Sequence, residues 1–155
     1  MIILGIDPGT RRIGYGVIES ERGKCKFLNA GILEISSQDD LGALLETKRE
    51  LKALIKKWRP GVFAIEKLYF AKNQKTALAV AQARGAILLS ALEYGLEIRE
   101  LGPNEVKSGV AGYGHADKKA VLKMVKLILG VPELDIVDDA SDALAVAIVA
   151  GNRKY

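Results

Sequence analysis

The chain opens on an unbroken apolar run, Ile2 to Ile6, that stops on Asp7. A run this short, bounded by Pro8-Gly9, predicts a buried strand over 2–7. IGYGVIES (13–20) predicts a second strand and KCKFLNAGILEI (24–35) a third, with Glu21-Arg22-Gly23 as the hairpin turn between them. The hydrophobic period then changes. Leu41, Leu44, Leu45, Leu51, Leu54, Ile55 and Trp58 recur at helical spacing, with Asp39 or Asp40 as the cap and Pro60-Gly61 as the stop. VFAIE (62–66) is a run without alternation, which reads as a central strand covered on both faces. Like the first strand, it ends in a carboxylate.

Residues 73–94 predict a long helix that is apolar on more than one face. Ala77, Ala81 and Gly85 form a row of small residues, while Leu78, Ile87, Leu88, Leu89 and Leu92 are bulky. Such a helix must be covered on two sides, by a sheet on one and by a second subunit on the other. LEIREL (96–101) predicts a fifth strand, and Pro103 opens a short helix carrying Lys107. After the glycine-rich GYGH loop (112–115), Asp117 caps a basic helix running to about Gly130, with Lys118, Lys119, Lys123 and Lys126. Val131 to Val137 connect to a final alanine-rich helix starting at Asp138 or Asp139. Three strands followed by helices alternating with two more predict an α/β fold: a mixed five-stranded sheet flanked by helices on both faces, as one domain over 1–155.

Composition narrows the class without naming it. Hydrophobic residues make up 49% of the 155, an ordinary globular share with core to spare. Lys and Arg outnumber Asp and Glu by 23 to 19, and the pI near 9.1 is compatible with nucleic acid. The single cysteine, Cys25, excludes an internal disulfide framework and suits a reducing cytoplasm. No apolar run is long enough to span a bilayer, so a soluble cytoplasmic protein is expected, with no membrane partner.

The candidate chemistry lies in acids placed at the ends of apolar elements. Asp7 and Glu66 end two strands; Asp139 and Asp142, three apart on the last helix, share a face, as Asp138 and Asp142 also would. Like charges on one helix face are unfavourable unless something neutralises them, and a divalent cation does so simply. Taken singly, each acid has an ordinary structural reading as a turn residue, a solvated strand end or a helix cap. On pattern alone the two readings stand level.

The motifs GIDPGTRRIGYGVI, FAIEKLYFAKN, QARG and DDASDALAVAI, in this order and at these separations, resemble the RuvC family of bacterial Holliday junction resolvases. The resemblance runs from Ile2 to about Ala150. It implies an RNase H-like fold, a homodimer with an active site in each subunit, and two Mg²⁺ ions per site, with Mn²⁺ able to substitute. It further implies a structure-selective endonuclease that resolves four-way junction DNA by symmetric nicks, leaving 5′-phosphate and 3′-hydroxyl ends, with the RuvA and RuvB branch-migration proteins as partners. Carried over by position, the catalytic metal ligands are Asp7, Glu66, Asp139 and Asp142, which leaves Asp138 a cap or bystander. Tyr69 matches an aromatic position that meets unstacked bases; Phe70 beside it reads either as core packing or as a second DNA contact. Lys107 and Lys118 match basic positions near the scissile phosphate, and Lys119 extends that basic surface.

Arg11, Arg12 and His115 are left without a role. An I-D-x-G-T stretch near an N-terminus also resembles the phosphate loop of actin-like ATPases and sugar kinases. Those proteins clamp a nucleotide between paired domains, and this chain supplies one.

Overall fold

The computed structural model describes residues 1–69 and 74–152. Its strands are β1 (Ile2–Asp7), β2 (Arg12–Glu21), β3 (Lys24–Glu34), β4 (Val62–Glu66) and β5 (Glu97–Leu101). The helices are α1 (Asp40–Trp58), α2 (Gln74–Leu92), α3 (Pro103–Ala111), α4 (Lys118–Leu129) and α5 (Asp138–Asn152).

The strands form one sheet in the order β3-β2-β1-β4-β5. β1, β2 and β3 pair antiparallel, whereas β4 pairs parallel with both β1 and β5. The mixed five-stranded sheet expected from the chain is therefore present, and β1 and β4 point their carboxyl ends the same way. The β2–β3 hairpin turns on Arg22 and Gly23, both at positive φ, which matches the twist of a tight hairpin.

Alternation along the strands divides the core in two. Ile3, Ile18, Val62, Ala64 and Leu101 face α3, α4 and α5, packing with Val106, Val121, Val125, Leu144 and Ile148. Leu4, Ile6, Ile13, Val17, Phe63 and Ile65 face α1 and α2, packing with Leu51, Leu54, Ile55, Ile87 and Ala91. β1 and β4 are apolar throughout because both their faces are covered.

α5 lies directly on the backbone of β1 and β2. A Cβ at Gly5 would fall 2.2 Å from the Ala143 carbonyl oxygen, and one at Gly16 would fall 2.8 Å from Leu144 Cα. A Cβ at Gly14 would fall 2.0 Å from the Asp139 carbonyl oxygen. Gly5 pairs with Gly16, and Gly14 pairs with Asp7. The glycines thus form a track without side chains that a helix rich in alanine can enter. The track also sets direction: α5 begins beside the end of β1.

Caps settle one choice the chain left open and bear out a second expectation. Asp39 caps α1, its side chain accepting from the Gly42 amide at 2.7 Å. Asp117 caps α4, accepting from Ala120 at 2.8 Å. α1 stops at Arg59, which is left-handed and donates its amide to Ile55, immediately before Pro60. α2 is described from Gln74 and ends at Leu92, two residues before the expected 94, because Glu93 to Gly95 turn away under a left-handed Gly95. One side of α2 is buried through Ala83, Ile87 and Ala91. Leu78, Leu89 and Leu92 on the same helix stay mostly exposed, so the protomer itself covers only one of its two apolar sides.

Candidate active site

Asp7 and Glu66 end neighbouring parallel strands, and each hangs at the rim where its strand leaves the core. Both carboxylates are partly buried, unlike the fully buried Ile6 and Ile65 that precede them. The amide of Lys67, just past Glu66, donates to the Leu101 carbonyl at 2.8 Å, which extends the β4–β5 pairing and steadies the strand end. Asp139 and Asp142 come from the opening turns of α5, laid against β1 and β2 along the glycine track. Four acids from three elements therefore gather at one edge of the sheet. The positive end of the α5 dipole adds to the favourable field there.

Their electrostatics record the crowding. Asp7 is pushed up to about 7, first by burial and then by the carboxylates of Asp142, Glu66 and Asp139, with Lys118 opposing. Glu66 is raised by burial and by Asp142, with Lys107 opposing. Asp142 is also raised, by burial first; Lys118 and Lys107 oppose, while Asp138 and Asp139 add to the rise. Lys118 is raised by Asp142 foremost, with burial opposing and Asp138 and Asp139 adding to the rise.

Two cations sit against the helix-borne pair. Lys118 Nζ is 3.8 Å from Asp142 Oδ2 and 3.6 Å from Asp138 Oδ2. Arg12 Nε is 3.5 Å from Asp139 Oδ2. Of the two expectations for Asp138, cap or bystander, the structure corrects the cap. Asp138 is the first residue of α5, one place past Val137, whose carbonyl accepts from Ser141, and its side chain turns to Lys118.

The donor set suits a hard divalent cation. Every donor is a carboxylate oxygen, with neither imidazole nor thiolate among them, as Mg²⁺ and Mn²⁺ prefer. Asp7 is raised first by burial and then by three neighbouring carboxylates, and negative charge gathered in this way is relieved by a cation. With the side chains as they stand, no three of the described acids, His or Cys converge tightly enough to enclose one ion. Asp139 and Asp142 are each drawn instead toward Arg12 or Lys118.

The remaining candidates divide. Lys107 on α3 faces Glu66 and Asp142, and Lys118 faces Asp142, so both lie at the acidic edge. Tyr69 is largely exposed, and its hydroxyl would meet a Cβ at Gly102, the residue before α3, at 3.3 Å. Lys119 is exposed on the first turn of α4, and no contact brings it to the acids. Phe70 lies outside the described residues. His115 is exposed. Sequence reasoning left Arg12 open; alternation on β2 puts it on the same face as Gly14, but nothing local says that α5 lies there or that Arg12 meets Asp139.

Acids ending two parallel strands, a helix-borne pair at the same rim and flanking lysines make one candidate active site, with oxygen donors for a cation and cations for an anion. Comparison with known proteins identifies the family of the chain. The family model for "Crossover junction endodeoxyribonuclease RuvC" matches residues 3–150. A relative of that name from Syntrophomonas wolfei is 45% identical over 149 residues, covering 96% of this chain and 87% of the relative. Another, from Ruminiclostridium cellulolyticum, is 46% identical over 153 residues, covering 98% and 92%. The solved structure of Thermus thermophilus RuvC superposes with a TM-score of 0.86 at 33% identity, covering 96% of this chain and 92% of that one. The same protein in complex with Holliday junction substrate gives 0.85 at 30% identity and the same coverage. The yeast mitochondrial resolvase Ydc2, at 17% identity and a TM-score of 0.72, shares the fold. The chain belongs to the RuvC family of crossover junction endodeoxyribonucleases.

Proposed function

We propose that this protein resolves four-way DNA junctions by hydrolysing one phosphodiester in each of two strands, in recombination and repair, with Asp7, Glu66, Asp139 and Asp142 as its catalytic acids. The observation that carries the reading is the gathering of those acids at the rim of two parallel strands, where burial first and then the other three carboxylates lift Asp7 to about 7. The acids would hold two Mg²⁺ ions, with Mn²⁺ able to substitute; when bound, these supply an activated water and stabilise the departing 3′-oxygen. The new bond joins water oxygen to phosphorus, the bond to the 3′-oxygen breaks, and that oxygen takes up a proton. The products are 5′-phosphate and 3′-hydroxyl ends.

The protein's own part is positioning and charge. Buried β1 and β4 hold two carboxylates on rigid elements, and the glycine track fixes the other two against them. Lys107 and Lys118 offset the charge that builds on the phosphoryl oxygens, from positions already beside the acids. Tyr69 offers an exposed ring to an unstacked base, an interaction of about 1–3 kcal/mol per base that needs no sequence code. Lys119 contributes phosphate contacts that hold register without reading sequence. Phe70, beside Tyr69, is proposed as a further DNA contact.

Paired nicking requires two centres. The exposed Leu78, Leu89 and Leu92 on α2 form an apolar face suited to a second copy, so we assign a homodimer. The RuvA and RuvB branch-migration proteins are the proposed partners, the whole chain is taken as one nuclease domain, and the site of action as the cytoplasm. No described helix is long and apolar enough to cross a membrane.

The deciding experiment compares a mobile four-way junction with plain duplex, with and without Mg²⁺, for the native protein and Asp7→Asn. Junction-selective, Mg²⁺-dependent nicking that disappears in the variant, with junction binding kept, is expected. Full nicking by Asp7→Asn would overturn the assignment.

A further inference from the structure

β2 touches Asp139 in two places. Gly14 lets the Asp139 backbone settle onto the strand, since a Cβ there would fall 2.0 Å from its carbonyl oxygen. Two residues earlier on the same strand, Arg12 reaches the Asp139 carboxylate, with Nε 3.5 Å from Oδ2. The guanidinium is also held from its far side. Glu34, the residue opposite Arg12 in the β2–β3 register, lies 3.3 Å from Nη1 through Oε1.

We propose that Arg12 is a positioning residue that sets the orientation of the Asp139 carboxylate for cation binding, a role that rests on reading Asp139 as a ligand. Nε lies against Oδ2, and the role assigned here leaves Oδ1 to the cation. Without that contact the Asp139 side chain, more than a third exposed, rotates away from Asp142 and Asp138, whose like charges repel it. A guanidinium beside a ligand would by itself repel a cation. Glu34 offsets that charge, so the pair adds orientation and little net field. The planar fork matters here: Nε and Nη1 serve two carboxylates at once, which an ammonium cannot do. Loss of such an outer partner typically weakens metal affinity about 10–100-fold. The exposure of this pair reduces the expectation to about 3–10-fold.

The test is Mn²⁺ binding without DNA, followed by the paramagnetic resonance of the free ion, on the full chain and on Arg12→Ala, Arg12→Lys and Asp139→Asn. Arg12→Ala is expected to raise the Mn²⁺ Kd about 3–10-fold. Arg12→Lys should behave like Arg12→Ala, and junction nicking at saturating Mn²⁺ should recover to near the native rate in both. An unchanged or lowered Kd in Arg12→Ala overturns the proposal, as does full rescue by Arg12→Lys, which would reduce the effect to charge. If Arg12→Ala changes junction affinity and leaves the Mn²⁺ Kd alone, Arg12 is a phosphate contact and the proposal fails. The underlying reading is separated by Asp139→Asn. If that variant weakens Mn²⁺ while Arg12→Ala does not, only the positioning role falls. If Asp139→Asn also binds Mn²⁺ normally, the reading of Asp139 falls and takes the Arg12 role with it.

Discussion

Replacing Asp7 by Asn should make the metal-stripped protein more stable at neutral pH while abolishing its activity. The folded protein holds the Asp7 carboxyl at about 7, against 3.8 for a free one. Below pH 3.8 both folded and unfolded chains carry the proton, and Asp7 costs nothing. As pH rises from 3.8 to 7 the unfolded chain gives up its proton while the folded chain keeps it, so stability falls. Above 7 the full cost is present, a ceiling of about 4 kcal/mol at about 1.4 kcal/mol per pH unit of displacement. Because Asp7 is only partly buried, solvent reduces this to about 2–3 kcal/mol. An Asn side chain keeps the shape and never carries the charge; it also relieves Glu66 and Asp142, which Asp7 otherwise crowds. Urea unfolding in EDTA at pH 5 and pH 8 measures the effect directly. The variant's advantage should be larger at pH 8 by about 1–2 kcal/mol. Adding Mg²⁺ should shrink or reverse it, since only the native set gains binding energy from the ion. An Asp7→Asn protein no more stable than the native one at pH 8 in EDTA, or an advantage that ignores pH, would refute the account of the crowded acids.

Gly14→Ala should cost about 1–3 kcal/mol in urea unfolding, because the added carbon meets Asp139 backbone and α5 must shift. Lys118→Ala and Lys107→Ala should each slow junction cleavage at least tenfold while changing junction affinity by less than about threefold, as residues acting on transition-state charge do; equal losses in both measurements would leave them only a binding role. Leu89→Glu should convert the protein to monomers in sedimentation at micromolar concentration and end coordinated nicking of both strands. Junction binding should weaken steeply between about 50 and 200 mM salt, as phosphate contacts require.

Much of the site was legible because its acids interrupt strong local patterns. β1 and β4 are so apolar that Asp7 and Glu66 stand out where the strands end, and their elements form as the periodicity predicts. What local pattern does not carry is contact between distant segments. Gly14 and Gly16 read only as part of an alternating strand; that they form a seat for a helix more than a hundred residues later depends on tertiary packing. The same holds for Arg12, whose partner Glu34 is fixed by hairpin register and whose partner Asp139 is fixed by helix docking. The choice between Asp39 and Asp40 as cap turns on a backbone angle, and the role of Asp138 turns on where α4 places Lys118. Spacing along the chain contains neither.

The docking of α5 also bears on when the protein can act at all. Two of the gathered acids come from strands paired across the centre of the sheet, and the other two come from α5, which follows every other described element in the chain. A nascent chain on the ribosome can complete the sheet from β1 to β5 and still lack half of the carboxylates. Until α5 is synthesised and settles on its glycines, Asp7 and Glu66 have neither Asp139 nor Asp142 beside them. With the four acids in their proposed roles, an endonuclease assembled in this order gains its cutting site only with the step that also closes its core.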